Sequence, residues 1–434
     1  MNSGDTAFVL VSAALVMLMT PGLALFYGGM ARGKNVLGTI MHSFMILGLV
    51  SVWWAVCGYS LAFGPDHGGL IGDLSWLGLS GVGAEPYAGY AATIPHQVFM
   101  VFQMMFAVIT PALISGAYAE RVKFSSFVIF TLLWVTFIYA PLAHWVWGIG
   151  GWMRQLGALD FAGGTVVHIS SGASALAFAI ILGRRQGWRV SPFVPHNLPM
   201  TILGAGLLWF GWFGFNAGSA LAANGLAASA FVVTHLAAAA AAVSWTAAEW
   251  VYQGKPTTLG VASGAVAGLV AITPASGFVE PMAAVAIGLV AGVLCYWGVS
   301  LKWKLGYDDA LDVVGVHGLG GTWGALATGI FATTAVNGAG ADGLLYGNPS
   351  LLAVQAMTVL VTWALGFGGS WIILKVVQAV AGLRVSPEQE MEGLDLSVHG
   401  ETGYSLARTS GSYVAGAGHI PSPLPADVPL RAER

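Results

Sequence analysis

The chain has 434 residues, 56% of them hydrophobic, and carries only 16 basic and 19 acidic side chains, 8% in all, against roughly 25% in soluble domains. Charge that sparse cannot solvate a globular body of this size, and a net charge of −3 without a basic patch excludes nucleic acid as a partner. The 61 glycines lack a collagen period and sit in no polar low-complexity tract, which leaves an all-α polytopic membrane protein whose small residues bring helix backbones together.

In chain order, Met1–Asp5 holds no basic residue, so the first apolar run is expected to be a retained span rather than a signal peptide. Runs long enough for a bilayer core fall near 7–28, 37–62, 95–117, 124–147, 162–182, 198–218, 226–251, 258–275, 281–302, 314–335 and 350–380. The seventh is the weakest, because its alanine stretch Ala237–Ala242 is only mildly apolar. Cys57 and Cys295 lie far apart in separate runs, which excludes a disulfide framework and a Cys-based metal site. The paired glycines Gly214/Gly218, Gly264/Gly268, Gly288/Gly292 and Gly320/Gly324 read as helix-packing positions.

Basic residues follow the odd-numbered runs: Arg32 and Lys34, Arg121 and Lys123, Arg184, Arg185 and Arg189, Lys255, Lys302 and Lys304, then Lys375 and Arg384. Loops after even-numbered runs hold one, Arg154, among several acids. The positive-inside rule therefore predicts eleven spans with the N-terminus outside and the C-terminus in the cytoplasm. Residues 1–383 are expected to form the membrane domain. Residues 384–434 are expected to form a polar cytoplasmic tail whose distal, proline-rich part is disordered.

Ionisable groups at bilayer depth mark pathways by default. His168 in the fifth run and His317 in the tenth each follow an Asp and a glycine-containing stretch, five spans apart. Five is odd, so the first ten spans predict a five-plus-five inverted repeat around a central pore. A metal site is disfavoured, because no third ligand accompanies the pair. Phe102 and Phe106 share a helix face, Trp147 ends the fourth run, and Trp209, Trp212, Phe213 and Phe215 precede Ser219. Most membrane tryptophans are interfacial anchors, yet rings beside a hydroxyl also suit a small cation. Asp160 reads equally as a helix cap or as an electrostatic partner for that cation.

Seven ordered motifs then resemble the ammonium transporter family, which includes methylammonium permeases and Rhesus proteins. They are Pro21-Gly-x-Ala-Leu-Phe26-Tyr-Gly-Gly, Arg32-Gly-Lys-Asn35, Asp160-Phe-Ala-Gly-Gly-Thr-Val-Val-His168, Pro195-His-Asn-Leu-Pro199, Gly211-Trp-Phe-Gly-Phe-Asn-Ala-Gly-Ser219, Asp312-x3-Val-His317-Gly and Gly393-Leu-Asp-x3-His399-Gly-Glu. The resemblance spans about residues 5–405. It implies a homotrimer with a pore in each subunit, resident in the plasma membrane, and neither cofactor nor metal. By the resemblance Phe106, Trp147 and Ser219 recruit ammonium. Phe106 and Phe215 close the entrance, His168 and His317 line the pore with Trp212 beside them, and Asp160 is the supporting acid. Rhesus proteins usually lack the recruiting tryptophan and one gate phenylalanine, so the microbial ammonium-transporter branch is the better match. The tail resembles the segment that meets a neighbouring subunit and, in bacteria and archaea, answers to PII-type signalling proteins. Ammonium import follows as the expected function. An ammonium sensor and a Rhesus-type neutral-gas channel are the alternatives, and an enzyme is disfavoured for want of a nucleophile or metal constellation.

Overall fold

The computed structural model describes residues 1–404, and Met1–Gly403 pack as one unit. The distal tail expected to be disordered lies outside the described residues. Each of the eleven apolar runs is helical: α1 Ser3–Met30, α2 Gly33–Phe63, α3 His96–Tyr118, α4 Phe124–Gln155 (broken at Gly148), α5 Gly164–Leu182, α6 Leu198–Ala220, α7 Gly225–Gln253, α8 Thr258–Ile272, α9 Pro281–Leu305, α10 Gly320–Phe331 and α11 Pro349–Ala381. Among the described residues, nine of these are long and apolar enough to cross a membrane, while α8 is apolar but shorter. The doubtful seventh run becomes the 29-residue α7. Its alanines are a packing surface: a Cβ on Gly268 of α8 or Gly288 of α9 would strike the Ala237 carbonyl, so only glycine permits that approach.

Among the described residues five π-helical turns interrupt the helices, at Trp54–Gly58, Val135–Tyr139, Gly164–Ile169, Val314–Leu319 and Leu365–Gly369. Such turns displace the backbone register and concentrate at functional positions. The two that carry a histidine, His168 and His317, open α5 and lead into α10. These helices meet where Gly172 lies against the backbone of Gly318, too close for any side chain at residue 172. That crossing brings the two histidines together in the middle of the bundle.

At the end of the bundle where the basic residues gather, a core of charged groups is buried and bonded. Glu120, held at φ +73, takes the backbone N–H of Arg32 at 2.7 Å and pairs with the guanidinium groups of Arg32 and Arg185 at 2.8 and 3.2 Å. Asp308 accepts three bonds from Arg185, while Arg121 donates to the carbonyls of Ala119, Gly183 and Asp308. Burial raises the Glu120 carboxyl, but the charges of Arg185 and Arg32 outweigh it and hold it below the usual carboxylate range. Asp308 follows the same logic through Arg185 and Arg121.

Two short helices, α12 Pro387–Glu392 and α13 Leu394–His399, close over this end. Asp395 accepts from the N–H groups of Leu37 and Gly38 at the start of α2, and Glu390 takes the N–H of Gln186 and the guanidinium of Arg384. The motif Gly393-Leu-Asp395 is therefore an anchor onto the same chain.

Candidate functional site

At the opposite end a vestibule of about 420 Å³ opens between α3, α4 and α6, and Phe106, Trp147, Asp160 and Ser219 line it together. Local structure aims each one. Trp147 ends its helix at Gly148, and its indole N–H donates to the Asp160 carbonyl at 2.9 Å, which fixes the ring plane. Ser219 lies in the last turn of α6 and gives its hydroxyl proton to the Phe215 carbonyl at 2.8 Å. With that proton engaged, the Ser219 oxygen offers only lone pairs, which suits a ligand rich in N–H donors. Phe106 meets Trp147 edge to face at 5.9 Å.

The floor of the vestibule is two fully buried rings, Phe106 and Phe215, with centroids 4.3 Å apart. Below them the space narrows to voids of about 10 and 20 Å³, the first lined by His168, Trp212, Phe215 and His317, the second by Tyr27, Trp245, Asp312 and His317. One water needs roughly 10–15 Å³, so the interior admits single small molecules, not a hydrated ion. His168 stacks on Trp212 at 5.4 Å, and the Trp212 indole is pinned by the Thr273 hydroxyl at 2.9 Å. The Nδ1 atoms of His168 and His317 face each other at 3.2 Å. One must donate and the other accept, so the paired neutral rings present one Nε2 acceptor and one Nε2–H donor. The His168 Nε2 is buried with no partner among the described residues.

Asp160 settles as a cap. Its carboxylate accepts from the N–H groups of Gly163, Gly164, Thr165 and Val166 and from the Thr165 hydroxyl, so it is consumed at the start of α5. The sequence motif set Asp312 before His317, but the structural counterpart of Asp160 is Asp309. It accepts from Val314 N–H five residues on at 2.7 Å, as Asp160 does from Thr165, and each Asp precedes its histidine by eight residues. That equal spacing is visible in the sequence and was the signal to use. Asp312 instead takes a close ion pair from Lys302. Burial pushes the Asp309 carboxyl up to about 6, with Lys302 opposing.

Not every aromatic singled out beforehand belongs to the site. Trp209 and Phe213 turn away from the pore toward His235 and Phe231 of α7. Phe102 backs Phe106 at 5.0 Å instead of lining the vestibule. Sequence reasoning passed over Arg154, which reaches into the vestibule and donates to the Trp147 carbonyl at 2.6 Å, and Gln103 on its wall.

Comparison with known proteins places these features in one group. Residues 7–404 match the model of the Ammonium Transporter Family. An ammonium transporter of Bacillus subtilis is 56% identical over 405 residues, covering 93% of this chain and 99% of that protein. Among solved structures, Saccharomyces cerevisiae Mep2 aligns with a TM-score of 0.84 at 36% identity, over 89% of this chain and 88% of that one. A protein described as a sensor Amt protein aligns at 0.82 and 32% identity, over 91% and 98%.

Proposed function

The chain belongs to the ammonium transporter family, a family of membrane transporters and not of enzymes, and from that premise we propose that it imports ammonium by recruiting NH4+ and passing NH3. In this reading NH4+ lodges among Trp147, Phe106 and Ser219, held by ring faces and the hydroxyl lone pairs. A bare cation beyond the phenylalanine gate would lose its hydration for several kcal/mol or more. Giving up a proton at the gate to water in the vestibule, as hydronium, removes that cost. Neutral ammonia then passes Phe215 and Phe106 as the rings swing and meets the histidine pair. There it donates to the free Nε2 of one ring and accepts from the Nε2–H of the other. The single observation that carries the proposal is the pair of imidazoles, Nδ1 to Nδ1 at 3.2 Å, enclosed behind a ring gate beneath a cation-suited vestibule.

The same reading takes the eleven helices as eleven spans and the first ten as an inverted five-plus-five repeat. The twin π turns and the matched Asp160–His168 and Asp309–His317 spacings support the repeat. It places the vestibule outside, the N-terminus outside and the C-terminus in the cytoplasm of a cell expressing the protein in its plasma membrane, which is the inner membrane in a Gram-negative source. The charge bias of the loops is the support. Residues 1–383 are the membrane domain, 384–434 the cytoplasmic tail, and the working unit is a homotrimer that a PII-type protein can regulate.

Ammonium-triggered current and ammonia flux in proteoliposomes test this, with wild type beside His168→Ala and Phe215→Ala. Wild type should pass ammonia, and both variants should lose selectivity or rate by at least tenfold. The similarity to a sensor supports the second reading: ammonium binding at the vestibule with neither current nor flux would replace transport by sensing.

A further inference from the structure

Beside the vestibule lies an ion pair that the transport reading does not use. The ring of His144, three residues before Trp147, is fully buried in α4. Its Nδ1 faces the Ala62 carbonyl at 3.0 Å, and its Nε2 faces the Asp66 carboxylate at 2.9 Å. A carbonyl and a carboxylate only accept, so both ring nitrogens carry protons and the ring is an imidazolium. Asp66 is part-exposed and also takes the Gly69 N–H at 2.8 Å. The bond from His144 holds its carboxyl below the usual carboxylate range, so Asp66 is the ionised partner.

The pair clamps the segment that carries Trp147. Asp66 opens a hairpin, β1 Asp66–His67 with β2 Ile71–Gly72, whose tip reaches both sides of Trp147. The Leu70 carbonyl accepts from the Trp145 indole at 2.7 Å, and the Gly69 carbonyl accepts from the Trp152 N–H at 3.2 Å. Between these bonds the turn 148–151 wraps His144. A Cβ on Gly148 would meet the imidazole, and one on Gly150, at φ +93, would strike Asp66. The Tyr90 hydroxyl on the vestibule wall takes the Ile149 N–H of the same turn at 3.1 Å. Other titratable groups on the elements packed here have their own partners. Tyr59 bonds His96, His168 faces His317, Arg154 holds the Trp147 carbonyl, and Asp73 bonds Ser75. Tyr139 precedes His144 on α4, and His67 lies beside Asp66 on the hairpin.

We propose that His144 is a positioning residue for recruitment: its imidazolium, held between Ala62 and Asp66, keeps Trp147 set at the mouth and lets it go when the proton leaves. A ring that has lost its Nε2 proton turns a lone pair toward the carboxylate, and two acceptors at 2.9 Å repel. Histidine changes charge between about pH 5 and 8, so the clamp is closed on the acidic side of that range and opens on the alkaline side. Asp66, depressed below the usual range, keeps its half of the pair until the pH falls through its lowered value. Recruitment is then tightest in acidic surroundings, where free ammonia is scarcest. The inference rests on the reading of Trp147 as a recruiting ring.

Two measurements across about pH 5.5 to 8 test this: hydrogen exchange on the detergent-purified chain, and ammonium-triggered flux in proteoliposomes. In wild type, protection of the Gly69 and Trp152 amides, corrected for the intrinsic rate, should fall as pH rises. The half-saturating NH4+ concentration should rise about two- to fivefold over the same range, the scale of a part-exposed ion pair. Asp66→Asn keeps the bond without the charge, because its amide donates to the Nε2 of a neutral ring. Both pH dependences should vanish in that variant while protection stays high. His144→Gln should lose protection at every pH, and where it fails to fold Asp66→Asn alone decides. Wild-type protection that is flat with pH, equal slopes in Asp66→Asn, or a titrating clamp with unchanged half-saturation overturns the proposal. A wild type that passes nothing at any pH fails the import reading instead, and ammonium binding to the purified chain then replaces half-saturation as the readout.

Discussion

The two ends of the molecule treat charge in opposite ways. Around Glu120 and Asp308, buried carboxylates are each held by arginines, and the network ties the loops that follow α1, α3, α5 and α9 into one clamp. Along the proposed path, by contrast, the groups that would touch substrate are rings, a hydroxyl and two imidazoles. Among the described residues the one carboxylate lining the vestibule, Asp160, is spent on five hydrogen bonds to its own helix start. Charges therefore hold the architecture where they are paired, and the one that lines the void beside His317, Asp312, is itself paired with Lys302, since an unpaired fixed ion in the conduit would trap a cation or block its neutral form.

The largest effect expected from breaking this contrast comes at the clamp. Glu120→Ala removes the shared partner of Arg32 and Arg185, and stranding buried charges typically costs about 3–5 kcal/mol. The thermal midpoint of the detergent-purified protein should fall sharply, with loss of monodispersity. A midpoint within a degree of wild type would mean that the clamp carries no stability. An equivalent loss is not expected for Ser219→Ala at the vestibule, where a surface-facing hydroxyl leaves no charge behind.

A smaller effect separates the two kinds of carboxylate by pH. Asp309 has its carboxyl pushed up to about 6 by burial, so keeping it ionised in the folded protein is unfavourable above that value. Its penalty is relieved as pH falls from 7 toward 4, by an amount of order 1–3 kcal/mol. Glu120 and Asp308 are depressed below the usual carboxylate range, so their contribution is present above about pH 4 and is lost as pH drops through their lowered values. Stability against pH should thus rise on mild acidification and collapse below about 4. Asp309→Asn should remove the rise and keep the collapse, and a melting series from pH 3 to 8 on both proteins would expose either failure.

This division explains what was legible beforehand. Hydropathy located the helices because bilayer burial acts on runs of neighbouring residues, and the Asp-to-His spacing was local enough to read. The clamp was not legible. Arg32, Arg121 and Arg185 served as markers of topology, yet Arg32 and Arg185 meet Glu120 across 88 and 65 residues and Arg121 reaches Asp308 across 187, pairings no local pattern encodes. The π turns that set His168 and His317 were also invisible, since one extra residue in a turn leaves apolar composition unchanged. The segment before α3 went unread for a related reason. It folds by aromatic contact, with Tyr59 bonded to His96 at 2.5 Å and stacked on Trp76 at 5.4 Å, and not by periodicity.

The smallest effect concerns the one charge that breaks the rule. Arg154 lines the vestibule, pairs with no carboxylate among the described residues, and holds the Trp147 carbonyl. A cation-recruiting mouth with a lone positive side chain should bind its substrate less tightly than it could. Screened interactions at a wet surface amount to about 1 kcal/mol or less. Arg154→Gln should therefore lower the half-saturating ammonium concentration two- to fivefold at low ionic strength, Arg154→Glu should lower it further, and 150 mM salt should shrink both differences. Arg154→Lys keeps the charge and loses the guanidinium bond to the Trp147 carbonyl, so it separates repulsion from positioning. If the lysine variant shifts as far as the glutamine variant, Arg154 acts by holding Trp147 in place. If only the neutral and acidic variants shift, the chain sets its outer affinity with a repulsive charge and leaves selection among cations to the rings.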